Sequence, residues 1–256
     1  MVSARVLTLS LSALAFCAVA GSAQTQIAEN LPRAAPPLPK LTPQERGDVF
    51  MARKMYREAV DAYKEGPQNS ALVWDKIGIA WHQMGDLNAA RKAYERAAKL
   101  DKNYADPVNN LGTIYYAEKH FRTAISRYRK AIALSPESAA FWSNLGTAYF
   151  ARGKFEEMSQ AYAKALELDQ DVFERHGSGA GTRMQDKSVA DRARFHYEMA
   201  RTYAKAGKNE EALQYLRRAF EEGFKDKDKL LQAPEFAALR ELPEYQEILN
   251  LEPRVL

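Results

Sequence analysis

The sequence predicts an all-α fold, a solenoid of stacked antiparallel helix pairs, and two observations predict it. One pattern is written three times at a step of 34 residues, over 71–104, 105–138 and 139–172. Within each copy the apolar positions fall at helical spacing in two separate stretches. Numbering the positions of a copy as columns, column 4 reads Trp74, Val108 and Trp142. Columns 7 and 8 read Ile77-Gly78, Leu111-Gly112 and Leu145-Gly146, and column 11 reads Trp81, Tyr115 and Tyr149. These columns stand at i, i+3, i+4 and i+7, one face of a helix. After a break holding Gly85 and Gly153, a second face follows at columns 20, 24 and 27: Ala90, Tyr94 and Ala97, with their counterparts Ala124, Tyr128 and Ala131, then Met158, Tyr162 and Ala165. Glycine at column 8 and alanine at column 20 leave room for the paired helices to approach. Met158 departs from that small-residue column, so looser or locally adjusted packing is expected there. Trp142, on the seam with Leu145 and Tyr149, is expected in the core. One helix pair carries a single apolar seam and cannot bury a core alone, so the pairs must stack.

The period and columns resemble the tetratricopeptide repeat family. The resemblance covers most of the chain and implies a right-handed superhelix. It also implies that columns 2, 5, 9, 12 and 13 of each first helix line a concave groove that takes extended peptides or partner segments. Terminal repeats are expected to be atypical, and the stretch 41–70 fits a short first unit, with Gly47, Phe50, Ala59 and Tyr63 in columns 8, 11, 20 and 24. Beyond 172 the register breaks over a glycine-containing insertion, 173–192. It resumes in a unit over 193–226, where Met199-Ala200, Tyr203, Gly207, Ala212, Leu216 and Ala219 occupy their columns. Residues 227–256 read as a C-terminal cap, with Pro234 and Pro243 each placed to start a short helix.

The N-terminal 23 residues have a different order. Arg5 supplies positive charge, Val6–Ala20 is an apolar run, and Gly21-Ser22-Ala23 offers small residues for cleavage. That is the layout of a secretory signal peptide, and it predicts an exported chain, periplasmic or secreted, cut near Ala23 with no membrane span left in the mature protein. Cys17, the single cysteine, would leave with the signal, so no disulfide or thiolate site is expected. Residues 24–40 hold Pro32, Pro36, Pro37 and Pro39 and read as an extended linker.

The composition excludes several function classes. With a formal charge of only +4 across 256 residues, no nucleic-acid partner is expected. The glycine-rich run His176–Arg183 lacks the lysine ending of a phosphate loop, and His176 stands where a nucleophile elbow before Ser178 needs glycine. His82, His120, His176 and His196 form no metal-binding spacing. No catalytic residue, metal or cofactor is assigned, and the chain is read as non-enzymatic. A hydrolase or transferase built on the 173–192 loop and a structural spacer without a ligand are the alternatives.

The function expected is therefore protein–protein interaction through the groove. Its candidate residues are His82, Tyr116 and Phe150 in column 12, and Thr113 and Thr147 in column 9. Asn110 and Asn144 stand in column 6, and Arg194, Tyr197, Arg201 and Lys205 on the first helix of the last unit. Some co-chaperones of the family hold a C-terminal carboxylate with lysine and asparagine in columns 5 and 9. Asp75 and Ile79 replace that pair here, which leaves Asn110 and Asn144 to interhelical hydrogen bonding. Arg194, Arg201 and Lys205 would put positive charge at the C-terminal end of the groove. The expected partner is a protein or peptide segment with an apolar stretch and acidic residues or a free carboxylate.

Overall fold

A computed structural model describes residues 41–175 and 188–251. The signal-peptide, linker and glycine-run expectations lie outside those residues. Helices pair in chain order: α1 (Pro43–Ala52) with α2 (Tyr56–Lys64), α3 (Ala71–Gln83) with α4 (Leu87–Leu100), α5 (Ala105–Ala117) with α6 (Phe121–Leu134), and α7 (Ala139–Ala151) with α8 (Phe155–Leu168). A short α9 (Val172–Arg175) precedes the fifth pair, α10 (Val189–Lys205) and α11 (Asn209–Glu221). Then come α12 (Lys227–Gln232), a 3₁₀ segment (Pro234–Leu239) and α13 (Pro243–Leu249). Among the described residues there is no strand.

Local chemistry explains the helix starts and turns. Thr42 accepts from the Glu45 amide while the Glu45 carboxylate accepts from the Thr42 amide, a capping box that opens α1. Ser70, Asp86 and Ser188 cap α3, α4 and α10 in the same way through one side-chain oxygen. Between the two helices of every pair the chain passes through the left-handed region at column 15. Gly85, Gly153 and Gly207 occupy it at φ +80°, +68° and +75°, but Lys54 and Lys119 hold it at +59° and +62°. A side chain there costs free energy that glycine does not.

The glycine of column 8 has a different reason. A Cβ built on Gly47, Gly78, Gly112 or Gly146 would lie 2.2, 2.4, 2.6 or 2.4 Å from the ring of Tyr63, Tyr94, Tyr128 or Tyr162. The glycine makes room for the tyrosine of column 24 in its own unit. The fifth pair has Leu216 at that column, fully buried, and carries Ala200 where the others have glycine.

Met158 is fully buried, as Ala90 and Ala124 are in the same column. One packing expectation changes. Trp142 is only half-buried: its indole N–H donates to the Pro136 carbonyl at 2.8 Å, and the ring sits at the rim. Trp74 repeats this with the Gln68 carbonyl at 2.9 Å. Column 4 tryptophan therefore packs against the edge of the core and also pins the preceding interhelical turn.

Part of the stretch read as an insertion is ordered packing. Val172 and Phe173 are buried, and the Phe173 ring meets Tyr162 at 4.9 Å and Tyr203 at 6.2 Å between centroids. The first helix of the fifth pair begins at Val189, four residues ahead of its first column. Over this pair lies the C-terminal cap, with Leu230, Phe236, Leu239, Tyr245 and Ile248 all fully buried.

Candidate functional site

The first helices of successive units share one face, here called the inner face, and a polar ladder ties them across it. Asn110 Nδ2 donates to Asp75 Oδ1 at 3.0 Å, and one unit on Asn144 Nδ2 donates to Asn109 Oδ1 at 3.0 Å. Tyr104 Oη adds a donor to Asp75 Oδ2 at 3.1 Å. Column 6 of one unit thus serves column 5 of the unit before. Burial pushes the Asp75 carboxyl up to about 6, against the Asn110 and Tyr104 hydrogen bonds, which lower it. Asp75 and Asn109 are closed in, at 3% and 8% exposure. The asparagines of the expected groove are consumed in holding the units together.

Column 9 is occupied from below. Thr113 Oγ1 accepts from Tyr128 Oη at 3.3 Å, Thr147 Oγ1 and Tyr162 Oη share a bond of 3.0 Å, and Asp48 accepts from Tyr63 at 2.7 Å. The core tyrosines reach through the glycine gaps and anchor the floor of the inner face. Lys76 also bonds Asp48, at 2.6 Å.

Column 12 sits where each first helix turns into its second. Tyr116 meets Phe121 at 5.3 Å and Phe150 meets Phe155 at 6.0 Å, so each ring leans on the start of its own second helix. His82, Tyr116 and Phe150 are all half-buried. Phe150 also packs edge-on against Phe195 at 5.1 Å, joining the fourth unit to the fifth. On the same helices Ala117, Ala140 and Ala151 are small and partly exposed.

The C-terminal end differs from expectation. Tyr197 is buried at 4% exposure, stacked on Phe224 at 4.3 Å with the cap residue Phe236 edge-on at 6.0 Å. Arg201 donates to Glu198 at 3.0 Å and to Glu235 of the cap at 2.5 Å. Arg194 donates to Glu198 at 3.4 Å, and its guanidinium lies 4.0 Å from the Phe155 centroid. The basic stripe is thus a closed ionic cluster around Glu198, which is itself 2% exposed. Of the four residues Tyr197 and Arg201 are closed off, whereas Lys205 is exposed and the Arg194 side chain keeps 40% exposure. Glu198 stands in column 6, where the third and fourth units have asparagine, and its charge is the signal that the sequence offered. Glu235 lies in a segment with no repeat register and offered none.

Among the described residues no group of histidine, cysteine and carboxylate side chains is placed to hold a metal, and no helix is long and apolar enough to cross a membrane.

A face built of first helices, stacked pairs with a common turn, and a terminal cap define a helical-repeat scaffold. The chain belongs to the tetratricopeptide repeat family: the pattern described as TPR repeat matches 78–119 and 112–153, and that described as Tetratricopeptide repeat matches 139–172 and 193–222. It is 38% identical over 76 residues to the heat shock protein sti1 homolog of Schizosaccharomyces pombe, covering 28% of this chain and 13% of that one. With the uncharacterized protein ycf37 of Porphyra purpurea it shares 27% identity over 88 residues, 30% of this chain and 51% of the other. The chain therefore spans about half or less of these relatives. The crystal structure of MamA protein is similar at a TM-score of 0.49 and 21% identity, covering 74% of this chain and 93% of that one.

Proposed function

We propose that the protein is a non-catalytic interaction scaffold that holds an extended partner segment along the inner face of its second to fourth units. The observation that supports this is that small, partly exposed residues, Ala117, Ala140 and Ala151, share the first helices with the half-buried rings of Tyr116 and Phe150, on a floor anchored by the core tyrosines. Such a floor is rigid before binding, which lowers the ordering cost of recognition. Family membership supports the same reading. The paired state of Arg194 and Arg201 narrows the partner: apolar or neutral side chains fit over the rings, and an acidic group has Lys205 and the exposed side of Arg194 as its contacts at the basic end. Export after cleavage near Ala23 belongs to the same proposal, and N-terminal sequencing of protein from its native host checks it, an intact Met1 being the contrary result.

A photo-crosslinking residue at Ala117, compared with one at the exposed Lys92 on the second helix of its preceding unit, tests the site. Adducts through 117 that compete with unlabelled partner, and none through 92, are expected. Equal adducts from both positions would move the partner off the inner face, and none from either would favour a spacer.

A further inference from the structure

The outer side of the stack carries a second feature, at the joint between the third and fourth units. A cavity of about 480 Å³ opens there, walled by Trp142, Leu145 and Tyr149 of α7, Ile132 of α6 and Ala161 of α8. Arg129 and Lys164 stand at its edge. Its size is in the range that takes one or two large side chains.

The neighbouring units show why it is open. In the second unit the column 4 tryptophan, Trp74, is covered by the chain itself: the Arg96 guanidinium lies 4.3 Å from its ring centroid. The residue two repeats on from Arg96 is Lys164, and it is turned away to Glu167 at 2.7 Å. In the third unit Arg127 reaches over Tyr115, 5.8 Å from its centroid. The residue one repeat on is Ala161, and Tyr149 is reached instead by Arg129 at 5.6 Å and Lys154 at 5.9 Å from its centroid. The cover that Arg96 gives Trp74 has no counterpart from Lys164 at Trp142, because Lys164 is diverted. The Trp142 ring is meanwhile held in position by its bond to the Pro136 carbonyl.

Charge selects among occupants. Helix α6 carries Arg122, Arg127, Arg129 and Lys130 and no acidic residue, and Arg122, Arg129 and Lys130 are exposed. Glu157, the carboxylate in the cavity wall, is already paired with Lys154. On α8 Lys164 is paired with Glu167 as Glu157 is with Lys154, so the net charge of the wall is that of Arg129, which repels a cationic occupant and attracts an acidic one. We propose that the cavity is a second protein-docking site, taking an aromatic or large aliphatic side chain of a partner segment that is acidic on either side of that anchor. The anchor would fill the space between Trp142 and Tyr149, and a flanking carboxylate would accept from Arg129. The site is separate from the inner face and stands or falls without it.

The test uses three blocked peptides on the full chain, Glu-Glu-Phe-Glu-Glu, Glu-Glu-Ala-Glu-Glu and Lys-Lys-Phe-Lys-Lys, followed by the indole N–H signals of Trp74, Trp81 and Trp142 in nitrogen-15 spectra. The first peptide should move the Trp142 signal saturably. Replacing its Phe by Ala should weaken binding roughly ten-fold, a value ordinary for one anchor side chain. Ala161→Arg restores the residue type that closes the third unit and should likewise cost about ten-fold or more. Arg129→Glu, on an exposed side chain, should weaken binding and flatten its salt dependence, and it serves alone should Ala161→Arg fail to fold. Ala117→Arg on the inner face should leave the titration unchanged. Equal binding of the lysine peptide, a response at Trp74 or Trp81 instead of Trp142, no response at millimolar peptide, or indifference to Arg129→Glu would each overturn the proposal.

Discussion

The first four units and the fifth solve the same packing problem with different residues. Units one to four set glycine at column 8 against tyrosine at column 24, and in three of them the tyrosine hydroxyl reaches the residue at column 9. The fifth sets Ala200 against Leu216, which has no ring to accommodate and no hydroxyl to satisfy. Their inner faces part in the same way. The earlier units leave small residues open beside half-buried rings, whereas the fifth buries Tyr197 beneath the cap and neutralises its arginines with Glu198 and Glu235. A repeat column is therefore a rule about pairs of residues. A unit at the end of the stack keeps the backbone rule and gives up its inner face to become core.

The largest effect that would break this comparison lies in the ionic cluster. Glu198→Ala should cost up to about 3 kcal/mol in chemical denaturation, because it takes the shared partner from Arg194 and from Arg201, which keeps only Glu235. The exposed pair Arg217–Glu247, treated the same way, should cost within about 0.5 kcal/mol. A small loss at Glu198 would mean that the fifth inner face is solvated after all.

Asp75 sharpens the contrast among the open units. Its native pKa of about 6 stands above the ordinary carboxylate value of 3.8, so the folded state binds its proton more tightly than the unfolded chain. That contribution is complete below about pH 4 and is lost as pH rises through 6, up to about 3 kcal/mol. Asp75→Asn should remove this slope and raise stability at pH 7.5, since Asn109 in the same column of the next unit already accepts the equivalent bond. Denaturation at pH 5 and 7.5 reads it, and an unchanged slope would locate the pH dependence elsewhere.

The pairing rule itself is tested by Gly112→Ala. The added Cβ, 2.6 Å from the Tyr128 ring, should cost about 1–3 kcal/mol. Tyr128→Leu, which copies the fifth unit, should cost less when combined with Gly112→Ala than when made alone. A double-mutant cycle without coupling would refute the rule. The smallest effect belongs to the turns. Lys119→Gly relieves a left-handed lysine at φ +62° and should gain about 0.5–1 kcal/mol, whereas Gly153→Lys in the next unit should lose a similar amount. Thermal unfolding of both is sufficient.

What the sequence determined by itself is everything that repeats. A step of 34 residues with apolar columns at helical spacing permits only helix pairs that stack, because one pair cannot bury its seam. The columns also set Asn110 and Asn144 aside for interhelical bonding, because Asp75 and Ile79 replace the carboxylate-holding pair, and the structure supplied their partners in column 5. Tertiary structure decided what lies on top of each column. Trp142 and Trp74 look like core residues in a helical pattern, yet both bond the turn before their helix and stay at the rim. The basic stripe of α10 looks free in the sequence because periodicity reports only the face of its own helix. The segment that covers it, Pro234–Leu239 with Glu235 and Phe236, follows no repeat and so has no column to betray its position. The outer cavity escapes for the complementary reason: it lies open where Lys164 is turned aside to Glu167, and which way a lysine turns is settled only by the neighbour it finds.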